Sequence, residues 1–365
     1  MVNSRILLYP LSVIYGLITS IRNFLYNTGI LKSVEFRVPV ICVGNITVGG
    51  TGKTPHTEYL AGLLSKFFRV AVLSRGYKRS SRGFRIVTPA SAVAESGDEP
   101  LQISRKYPDI FVAVDRNRVK GVKKIMNAKP DTEVIILDDA FQHRRITPGF
   151  SILLSDFERP ILSDHMLPYG NLRESASNMR RADVILITKS PININPIQRR
   201  LIVKEINKPP YQNLYFTSIK YKLPVPLFNK KDPIVSIPDL TKLYGKGIVL
   251  ITGIANPRLL KEYLQETAGE IIHLSYPDHY TYREQDLNTV YDAFEQLKSP
   301  SRYVFTTEKD SVRLMEFTNI AEPVRSAFYY IPVGICFLND DNAEFDNLII
   351  DYVRKNKRNN KVSEI

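Results

Sequence analysis

The chain has 365 residues, of which 44% are hydrophobic and 24% charged, and its formal net charge is +13. These values exclude a disordered chain, and the length suggests about two domains. The positive charge favours an anionic partner, which could be a nucleic acid, a phosphorylated ligand or an acidic membrane surface. The two cysteines, Cys42 and Cys336, lie far apart in apolar runs, so neither a disulfide framework nor a cysteine-based metal site is supported.

The first predicted element is an uncharged stretch, ILLYPLSVIYGLITSI, over residues 6–21 between Arg5 and Arg22. It is shorter than the roughly 20 apolar residues of a spanning helix, and no small-residue cleavage site of a secretory signal follows it. We therefore expect residues 1–30 to form a segment that lies in or on a membrane interface. The alternative is a helix that packs on its own domain.

A glycine-rich segment, VGNITVGGTGKTP, covers residues 43–55 and follows the β-rich run RVPVICVG. The phosphate-loop pattern G-x-x-x-x-G-K-[ST] would place glycine at position 47, where this chain has Thr47. The segment is therefore predicted to be a lengthened phosphate loop, in which Lys53 reaches the β- and γ-phosphates and the Thr54 hydroxyl ligates magnesium. The alternative is a glycine-rich turn that enters a helix. The predicted nucleotide-binding residues are Gly49, Gly50, Thr51, Gly52, Lys53 and Thr54.

After this loop, apolar runs alternate with helical patterns. The runs lack strict alternation of polar and apolar residues, as expected for strands that are covered on both faces. They predict an α/β fold of the P-loop NTPase-like class, with a mostly parallel sheet flanked by helices. One run, TEVIILDD, ends in Asp138 and Asp139, which is typical of the second magnesium-binding element of nucleotide-hydrolysing proteins. An ordinary strand-to-loop turn is the alternative for this pair.

The chain is predicted to divide into five parts. Residues 1–30 are the membrane-interface segment, and residues 36–207 are the P-loop core. Residues 208–240, rich in proline, tyrosine and lysine, are expected to be a crossover. Residues 241–355 are expected to form a second, smaller α/β lobe, in which AFYYIPVGICF is a strand, and residues 356–365 are a basic, frayed tail.

Several longer motifs resemble the tetraacyldisaccharide 4′-kinase family, over most of residues 36–310. They are GNITVGGTGKTP, LSRGYKR, SGDEP, LDDAFQH, LPYGNLRES, TGIANP, YPDHY and TTEKD. The resemblance implies a membrane-associated P-loop kinase. Such a kinase uses ATP and Mg²⁺ to phosphorylate the 4′-hydroxyl of a tetraacylated glucosamine disaccharide 1-phosphate. One residue departs from the family pattern, because Ala140 stands where glycine is expected.

The resemblance also implies a pair of reacting residues. Asp98 in SGDEP corresponds to the aspartate that accepts the proton of the attacking hydroxyl, and His279 in YPDHY to the histidine that partners it. The two are far apart in sequence, so the pair can form only if the second lobe folds over the first. The structural alternatives are a capping box of Ser96 with Glu99, in which Asp98 only favours the helix dipole, and a turn role for His279.

Further site residues are implied by the same resemblance. Thr54, Asp139 and Glu174 are the predicted magnesium ligands. Arg75, Arg116, Gln142 and Arg173 are the predicted substrate-binding residues. The three arginines are included because guanidinium groups suit oxyanions. The alternatives are solvated surface roles for the arginines and for Glu174.

An acylated sugar phosphate stays in its membrane, so the enzyme is expected at the cytoplasmic face of the inner membrane, as a peripheral or monotopic protein. The expected partners are this lipid and the membrane surface, with no nucleic acid and no protein partner. One rival function is a P-loop NTPase that acts as a nucleotide-dependent switch. LITKS, residues 186–190, faintly resembles a guanine-reading motif, but the aspartate it requires is missing. A nucleic-acid-binding role is the other rival, although the basic residues are scattered and no recognition motif is present.

Overall fold

The computed structural model describes residues 4–228 and 243–362 of the chain. The helices are α1 Tyr9–Asn27, α2 Lys53–Leu64, α3 Val93–Ser96, α4 Asp98–Lys106, α5 Arg118–Ala128, α6 Pro196–Ile206, α7 Arg258–Gln265, α8 Glu284–Gln296, α9 Glu308–Leu314 and α10 Asn342–Val362. The strands are β1 Val40–Gly44, β2 Val70–Ser74, β3 Arg85–Val87, β4 Phe111–Val114, β5 Val134–Asp138, β6 Phe150–Asp156, β7 Val184–Thr188, β8 Asn213–Tyr221, β9 Val225–Pro226, β10 Gly247–Thr252, β11 Glu270–Ser275, β12 Arg302–Thr307, β13 Phe328–Ile331 and β14 Val333–Phe337.

The larger sheet has nine strands in the order β14-β8-β7-β6-β1-β5-β2-β4-β3. Its inner strands are parallel, whereas β3 and β14 run antiparallel at the two edges. Alternate residues of each strand face opposite sides. Val43 and Val72 enter a core shared with Leu60 of α2, while Cys42 and Leu73 enter a second core shared with Val122 of α5. The predicted α/β class with helices on both faces of a mostly parallel sheet is confirmed.

The smaller sheet has five strands in the order β11-β10-β12-β13-β9. It is parallel except for β9, which pairs antiparallel with β13. Helix α8 packs on one face through Leu287, Val290 and Phe294, which share a core with Val249 and Val304 of the sheet. The spacing of three and four residues on α8 is the reason that its apolar side chains meet the sheet together.

The predicted boundaries between the lobes differ from the structure in two places. Within the predicted crossover 208–240, residues 213–221 form β8 of the larger sheet and residues 225–226 form β9 of the smaller one. Residues 229–242 lie outside the described part of the chain. The run AFYYIPVGICF is two strands that belong to different sheets. Pro332 separates them, and because proline lacks an amide hydrogen it cannot continue a sheet ladder.

The C-terminal helix α10 returns to the first lobe. Phe345, Ile349 and Val353 lie in the same core as α2, and the Tyr59 hydroxyl donates to Asp346 at 2.8 Å. The helical backbone continues to Val362. The predicted frayed tail over 356–365 is therefore helical as far as the structure describes it, because the helix extends from a buried anchor.

Helix α1 turns its polar side toward the protein. Its buried residues are Ser12, Thr19 and Asn23, whereas Leu17 and Ile18 on the other side are each 61% exposed. Residues Ile6–Asn27 form a helical stretch of 22 residues, long and apolar enough by length and composition to cross a membrane. A surface helix in water normally packs its apolar side on the protein and exposes its polar side. Helix α1 has the opposite arrangement.

Candidate active site

The glycine loop joins a buried strand to a helix, as a phosphate loop must. Strand β1 ends at Gly44 and α2 begins at Lys53, with Gly52 as the N-cap. Gly52 has a φ of 84° and Gly49 a φ of 107°, values that glycine adopts without steric cost. No side chain caps the first turn of α2. The helix N-terminus is therefore open toward the loop, where backbone N–H groups and the helix dipole favour an anion.

The extra residues of the loop are held by a second segment. Val48 N donates to Asn171 O at 2.8 Å, and Arg173 Nε donates to Thr47 O at 3.1 Å. Thr47, which occupies the expected glycine position, thus pairs with the segment that contains Leu172. The loop is longer than the standard pattern because part of it forms this short antiparallel contact.

Two further residues, neither of them identified from the sequence, brace the loop from inside. The Asn45 amide donates to Thr51 Oγ1 at 2.9 Å, and its carbonyl oxygen accepts from Lys53 and Arg173. Lys189, at the end of β7, donates to Gly50 O and forms an ion pair of 2.8 Å with Asp156. The LITKS lysine therefore supports the phosphate loop. Its position at a strand end was the only sequence signal for that role.

The strand-end aspartates have different environments. Asp138 is buried and accepts hydrogen bonds from Thr57 at 3.1 Å and Ser74 at 3.0 Å. Burial, followed by the charge of Asp139, raises the pKa of Asp138. Asp139 is 34% exposed and lies 3.7 Å from both Lys53 and Arg173. The Asp138 side chain thus belongs to a buried hydrogen-bond network, whereas the Asp139 side chain faces the phosphate loop.

The donor set near Lys53 suits magnesium if the nucleotide completes it. Mg²⁺ is usually held by one or two protein oxygens together with phosphate oxygens and water. Asp139 keeps free lone pairs, because its two cationic neighbours are at 3.7 Å, and Thr54 is only partly buried. In the described part of the chain, no group of three or more His, Cys, Asp or Glu residues could hold a metal by itself.

Glu174 does not join this donor set. Its carboxylate is fully buried and is bound by Arg22 at 2.9 Å and by Arg181 at 2.5 Å. The Asn23 amide donates to the same carboxylate at 3.3 Å. Arg22 and Asn23 belong to α1, so Glu174 attaches that helix to the core. Its neighbour Arg173 faces the phosphate loop, whereas the Glu174 side chain points toward α1. The structure therefore differs from the prediction that Glu174 is a magnesium ligand.

Asp98 and His279 are in direct contact. His279 Nδ1 lies 2.8 Å from Asp98 Oδ2, and Asp98 is 1% exposed. Asp98 opens α4 after Gly97, whose φ is 87°, and no side chain caps this helix, so the alternative of a capping box formed by Ser96 and Glu99 is not observed there. His279 lies on the loop after β11 with a φ of 57°. The second lobe therefore folds over the first, as the pair requires.

Two cationic residues of α9, Lys309 and Arg313, contact this pair. Neither was assigned a role from the sequence, although Lys309 lies in the motif TTEKD. Arg313 Nη2 lies 3.2 Å from Asp98 Oδ2, and Lys309 Nζ lies 3.2 Å from His279 Nε2. Burial acts to raise the pKa of Asp98, but His279, Lys309 and Arg313 outweigh it and hold that pKa well below its usual range. Asp98 is consequently an ionised carboxylate at physiological pH.

The pair lies near the phosphate loop. Glu99, next to Asp98, interacts electrostatically with Lys53, Asp138 and Lys309, and burial followed by Asp138 raises the pKa of Glu99 to about 7. A Cβ placed on Gly50 would lie 3.5 Å from Ala255 of the second lobe. The loop TGIANP thus closes over the glycine loop, and one cleft contains both sets of residues.

The four predicted substrate-binding residues lie in three places. Arg116 and Gln142 line a cavity of about 300 Å³ at the base of α1, whose other lining residues are Arg22, Tyr26, Asn117, His143, Arg144 and Arg145. Gln142 Nε2, His143 Nε2 and Arg144 Nη1 are buried there without hydrogen-bond partners. Arg75 is exposed and interacts electrostatically with His143, while Arg173 lies on the phosphate loop.

A lengthened phosphate loop, a strand-end aspartate beside its lysine and a carboxylate–imidazole pair in one cleft define a P-loop phosphotransferase. The sequence profile described as tetraacyldisaccharide-1-P 4′-kinase matches residues 4–354. The chain therefore belongs to the tetraacyldisaccharide 4′-kinase family, whose members transfer phosphate to an alcohol acceptor. The alternative of a nucleotide-dependent switch is not favoured.

The relatives are similar along nearly the whole chain. The tetraacyldisaccharide 4′-kinase of Bacteroides thetaiotaomicron is 44% identical over 362 residues, covering 98% of this chain and 95% of the relative. That of Phocaeicola vulgatus is 46% identical over 358 residues, covering 98% and 97%. A solved structure of LpxK from Aquifex aeolicus in complex with ATP is 28% identical and has a TM-score of 0.73, covering 96% of this chain and 99% of that one.

Proposed function

We propose that this chain transfers the γ-phosphate of ATP to the 4′-hydroxyl of a tetraacyldisaccharide 1-phosphate, with Asp98 as the proton acceptor. One observation supports this most directly: an ionised, buried carboxylate contacts an imidazole beside a phosphate loop. A sugar hydroxyl is a poor nucleophile, and an oriented carboxylate can accept its proton during transfer. The similar structure from Aquifex aeolicus was solved with ATP, which supports ATP as the donor.

The contacts of Asp98 indicate which oxygen receives the proton. Oδ2 already accepts from His279 and Arg313, whereas Oδ1 accepts only the Glu99 N–H, at 3.1 Å. We assign Oδ1 as the acceptor for the substrate hydroxyl. The 4′-oxygen then bonds to the γ-phosphorus, the bond from that phosphorus to the β,γ-bridging oxygen breaks, ADP leaves, and the hydroxyl proton passes to Asp98.

The phosphate loop would bind the rest of the nucleotide. Gly49, Gly50, Thr51 and Gly52 would present backbone N–H groups to the phosphates, and Lys53 would supply a positive charge. Thr54 and Asp139 would hold Mg²⁺, which would offset the charge that develops on the phosphate oxygens. Arg173, already beside Asp139 and Thr47, would steady the transferring group.

The cavity at the base of α1 is suited to an anionic group of the lipid. It combines several guanidinium groups with buried donors that lack partners, among them Gln142 Nε2. Burial, with Arg118 and Arg145, lowers the pKa of His143 to about 4, so His143 is neutral there. We propose that Arg75, Arg116 and Gln142 contact the sugar phosphate while its acyl chains follow the exposed apolar face of α1.

This arrangement supports a position at a membrane surface. The exposed apolar side of α1 supplies contact area and the basic surplus attracts anionic lipid, two signals that act together. We propose the cytoplasmic face of the inner membrane as the location, with peripheral or monotopic attachment. We also propose that the chain divides into the five parts predicted from the sequence, with three changes to their limits. Strands β8 and β14 and helix α10 belong to the first lobe.

The test is incubation of the full chain with γ-labelled ATP, Mg²⁺ and the acylated disaccharide 1-phosphate, followed by separation of the lipids. Asp98→Asn should lower kcat by about 10²–10⁴-fold, because general base catalysis contributes that much. Asp109→Asn, at an exposed position, is the matched control. Label that appears only as free phosphate, or full activity in Asp98→Asn, would overturn the proposal.

The substrate-binding assignment has its own test. Arg116→Ala should raise the KM for the lipid about tenfold, because a charged hydrogen bond contributes about 1.5–3 kcal/mol. The KM for ATP should not change. Arg82→Ala, another exposed arginine, serves as the control. A rise in the KM for ATP instead would place Arg116 on the nucleotide.

A further inference from the structure

Lys309 has contacts that determine which nitrogen of His279 carries the proton. Its Nζ lies 2.7 Å from Asp278 Oδ1 and 3.2 Å from His279 Nε2. An ammonium group donates hydrogen bonds and accepts none, so Nε2 must be the acceptor in this contact. The proton of a neutral imidazole then resides on Nδ1, which donates to Asp98 Oδ2 at 2.8 Å.

We propose that Lys309 is a positioning residue that holds His279 in the neutral Nδ1–H tautomer and thereby keeps Asp98 an available proton acceptor. This rests on the proposed function, in which Asp98 receives the hydroxyl proton. Lys309 acts through His279 and does not itself need to touch the substrate.

The other groups that face His279 explain why a lysine is needed. Helix α4 supplies Asp98, which contacts Nδ1, and the histidine's own loop supplies Asp278. Glu99 of α4 interacts with Lys309, and Arg313 of α9 contacts Asp98. Asp278 Oδ2 lies 3.8 Å from Nε2, so each ring nitrogen has a carboxylate within reach. The loop after β2 adds the Tyr77 ring, 4.8 Å from the imidazole, and Lys78 Nζ, 3.4 Å from the His279 carbonyl oxygen.

Without the Lys309 ammonium, two carboxylates would favour a doubly protonated ring. An imidazolium would pair more strongly with Asp98 and make that carboxylate a weaker base toward the substrate. With Lys309 present, Asp278 is paired with the ammonium, and Nε2 accepts a hydrogen bond from the same group in place of carrying a proton. The charge of Lys309 is maintained although burial acts to lower its pKa, because Glu99, Asp98 and Asp278 raise it overall.

The backbone of α9 fixes the distance between Lys309 and the ring. The Gly253 N–H donates to Asp310 Oδ2 at 2.8 Å, and the Gly253 carbonyl accepts the His279 N–H at 3.2 Å. The Thr307 side chain caps α9 by accepting from Asp310 N at 3.0 Å. Residue 310, next to Lys309, thus anchors the loop that carries the imidazole. The lysine and the ring belong to one rigid unit.

The experiment reads the tautomer directly, by ¹⁵N NMR of the full chain labelled at histidine nitrogens. The chain has five histidines, and His279→Gln identifies the signals of residue 279. In the wild type at pH 7, Nδ1 should be protonated and Nε2 unprotonated. In Lys309→Met and Lys309→Gln, which remove the ammonium charge, both nitrogens should be protonated, whereas Lys309→Arg, which keeps the charge and a donor, should retain the wild-type pattern. Lys298→Met, at an exposed lysine, is the control.

Kinetics supply a second measurement. Lys309→Met should lower kcat about tenfold or more at pH 7, because Asp98 becomes a weaker general base. The KM for ATP should change little. The loss should shrink as pH rises, because the imidazolium then loses its extra proton. A loss that is the same at every pH would indicate mere structural damage and overturn the proposal.

The outcomes separate this inference from the proposed function. A wild-type ring protonated on Nε2, or unchanged His279 signals in Lys309→Met, refutes the role of Lys309 whatever the reaction is. A wild type with the expected tautomer but full activity in Asp98→Asn refutes the proposed function alone. If Lys309→Met fails to fold, Lys309→Gln is the second variant without the ammonium charge, and a wild-type ring protonated on Nε2, assigned with His279→Gln, still refutes the proposal.

Discussion

Two carboxylates share one lysine where three helices meet. Lys106 at the end of α4 lies 2.6 Å from Glu58 of α2 and 2.9 Å from Glu308 of α9. The Gln102 amide donates to Glu58 at 2.7 Å, and the exposed fraction of the Glu58 side chain is 3%. This cluster joins the phosphate-loop helix, the helix of Asp98 and the second lobe, so its protonation should affect the stability of the assembled lobes.

Burial, followed by the charge of Glu308, raises the pKa of Glu58 from an ordinary 4.5 to about 7, although Lys106 opposes the rise. The folded protein therefore holds a proton on Glu58 that the unfolded chain releases between these values. Stability should fall as pH rises from 4.5 to 7, and the loss should be complete above pH 7. A difference of about 2.5 pKa units corresponds to roughly 3 kcal/mol.

The perturbation is Glu58→Gln, which keeps the shape and cannot ionise. Thermal unfolding midpoints of the full chain should be measured at pH 5 and pH 8. The wild type should lose about 4 °C more than the variant across this interval, since an unfolding entropy of about 2.1 cal/mol/K per residue makes 1 kcal/mol correspond to about 1.3 °C in a chain of 365 residues. Glu95→Gln, at an exposed ion pair with Arg85, should keep the wild-type slope. Equal pH slopes in Glu58→Gln and the wild type would refute the reasoning.

Four further outcomes are expected. Gly52→Val should weaken ATP binding, measured by titration calorimetry, because a side chain at a φ of 84° costs about 1–2 kcal/mol and distorts the loop; Gly29→Val, at a φ of 77° with open space around it, should reduce only stability. Glu174→Gln should destabilise the protein by about 1.5–3 kcal/mol in denaturant unfolding, because the partly exposed Arg22 and Arg181 lose the anionic partner of their hydrogen bonds; an unchanged midpoint would contradict the anchoring of α1. Leu17→Glu with Ile18→Glu should reduce co-sedimentation with anionic vesicles while leaving the unfolding midpoint unchanged, whereas equal sedimentation would argue against α1 as the membrane contact. A thiol reagent at pH 8 should label Cys336 before Cys42, because burial raises the pKa of the Cys42 thiol to about 12; early labelling of Cys42 would indicate that the core opens.

Features that depend on neighbours in the chain were predictable from the sequence. The phosphate loop lies between a strand and a helix, and its conformation follows from the glycines at positions 49 and 52. Strand β5 ends at Asp138 after an apolar run that is buried on both faces, and the chain leaves the sheet at the next residue, Asp139. These are short-range rules, so the α/β class and the nucleotide-binding loop follow from the sequence without coordinates.

Long-range placement was decided by the tertiary structure. Asp98 and His279 are 181 positions apart, and only the family resemblance linked them before the folded lobes did. Arg173 and Glu174 are adjacent, yet one faces the phosphate loop and the other faces α1. Sequence spacing does not reveal such directions, because a loop has no fixed period.

The sequence by itself therefore determined the fold class, the glycine loop between β1 and α2 and the apolar segment at the N-terminus. The tertiary structure alone decided which charged side chains meet, such as Glu174 with Arg22 of α1 and Lys309 with His279. It also decided that β14 pairs with the larger sheet after Pro332. The physical reason is that backbone preference and apolar periodicity act over a few residues. The pairing of buried charges depends on which surfaces meet when distant segments pack together.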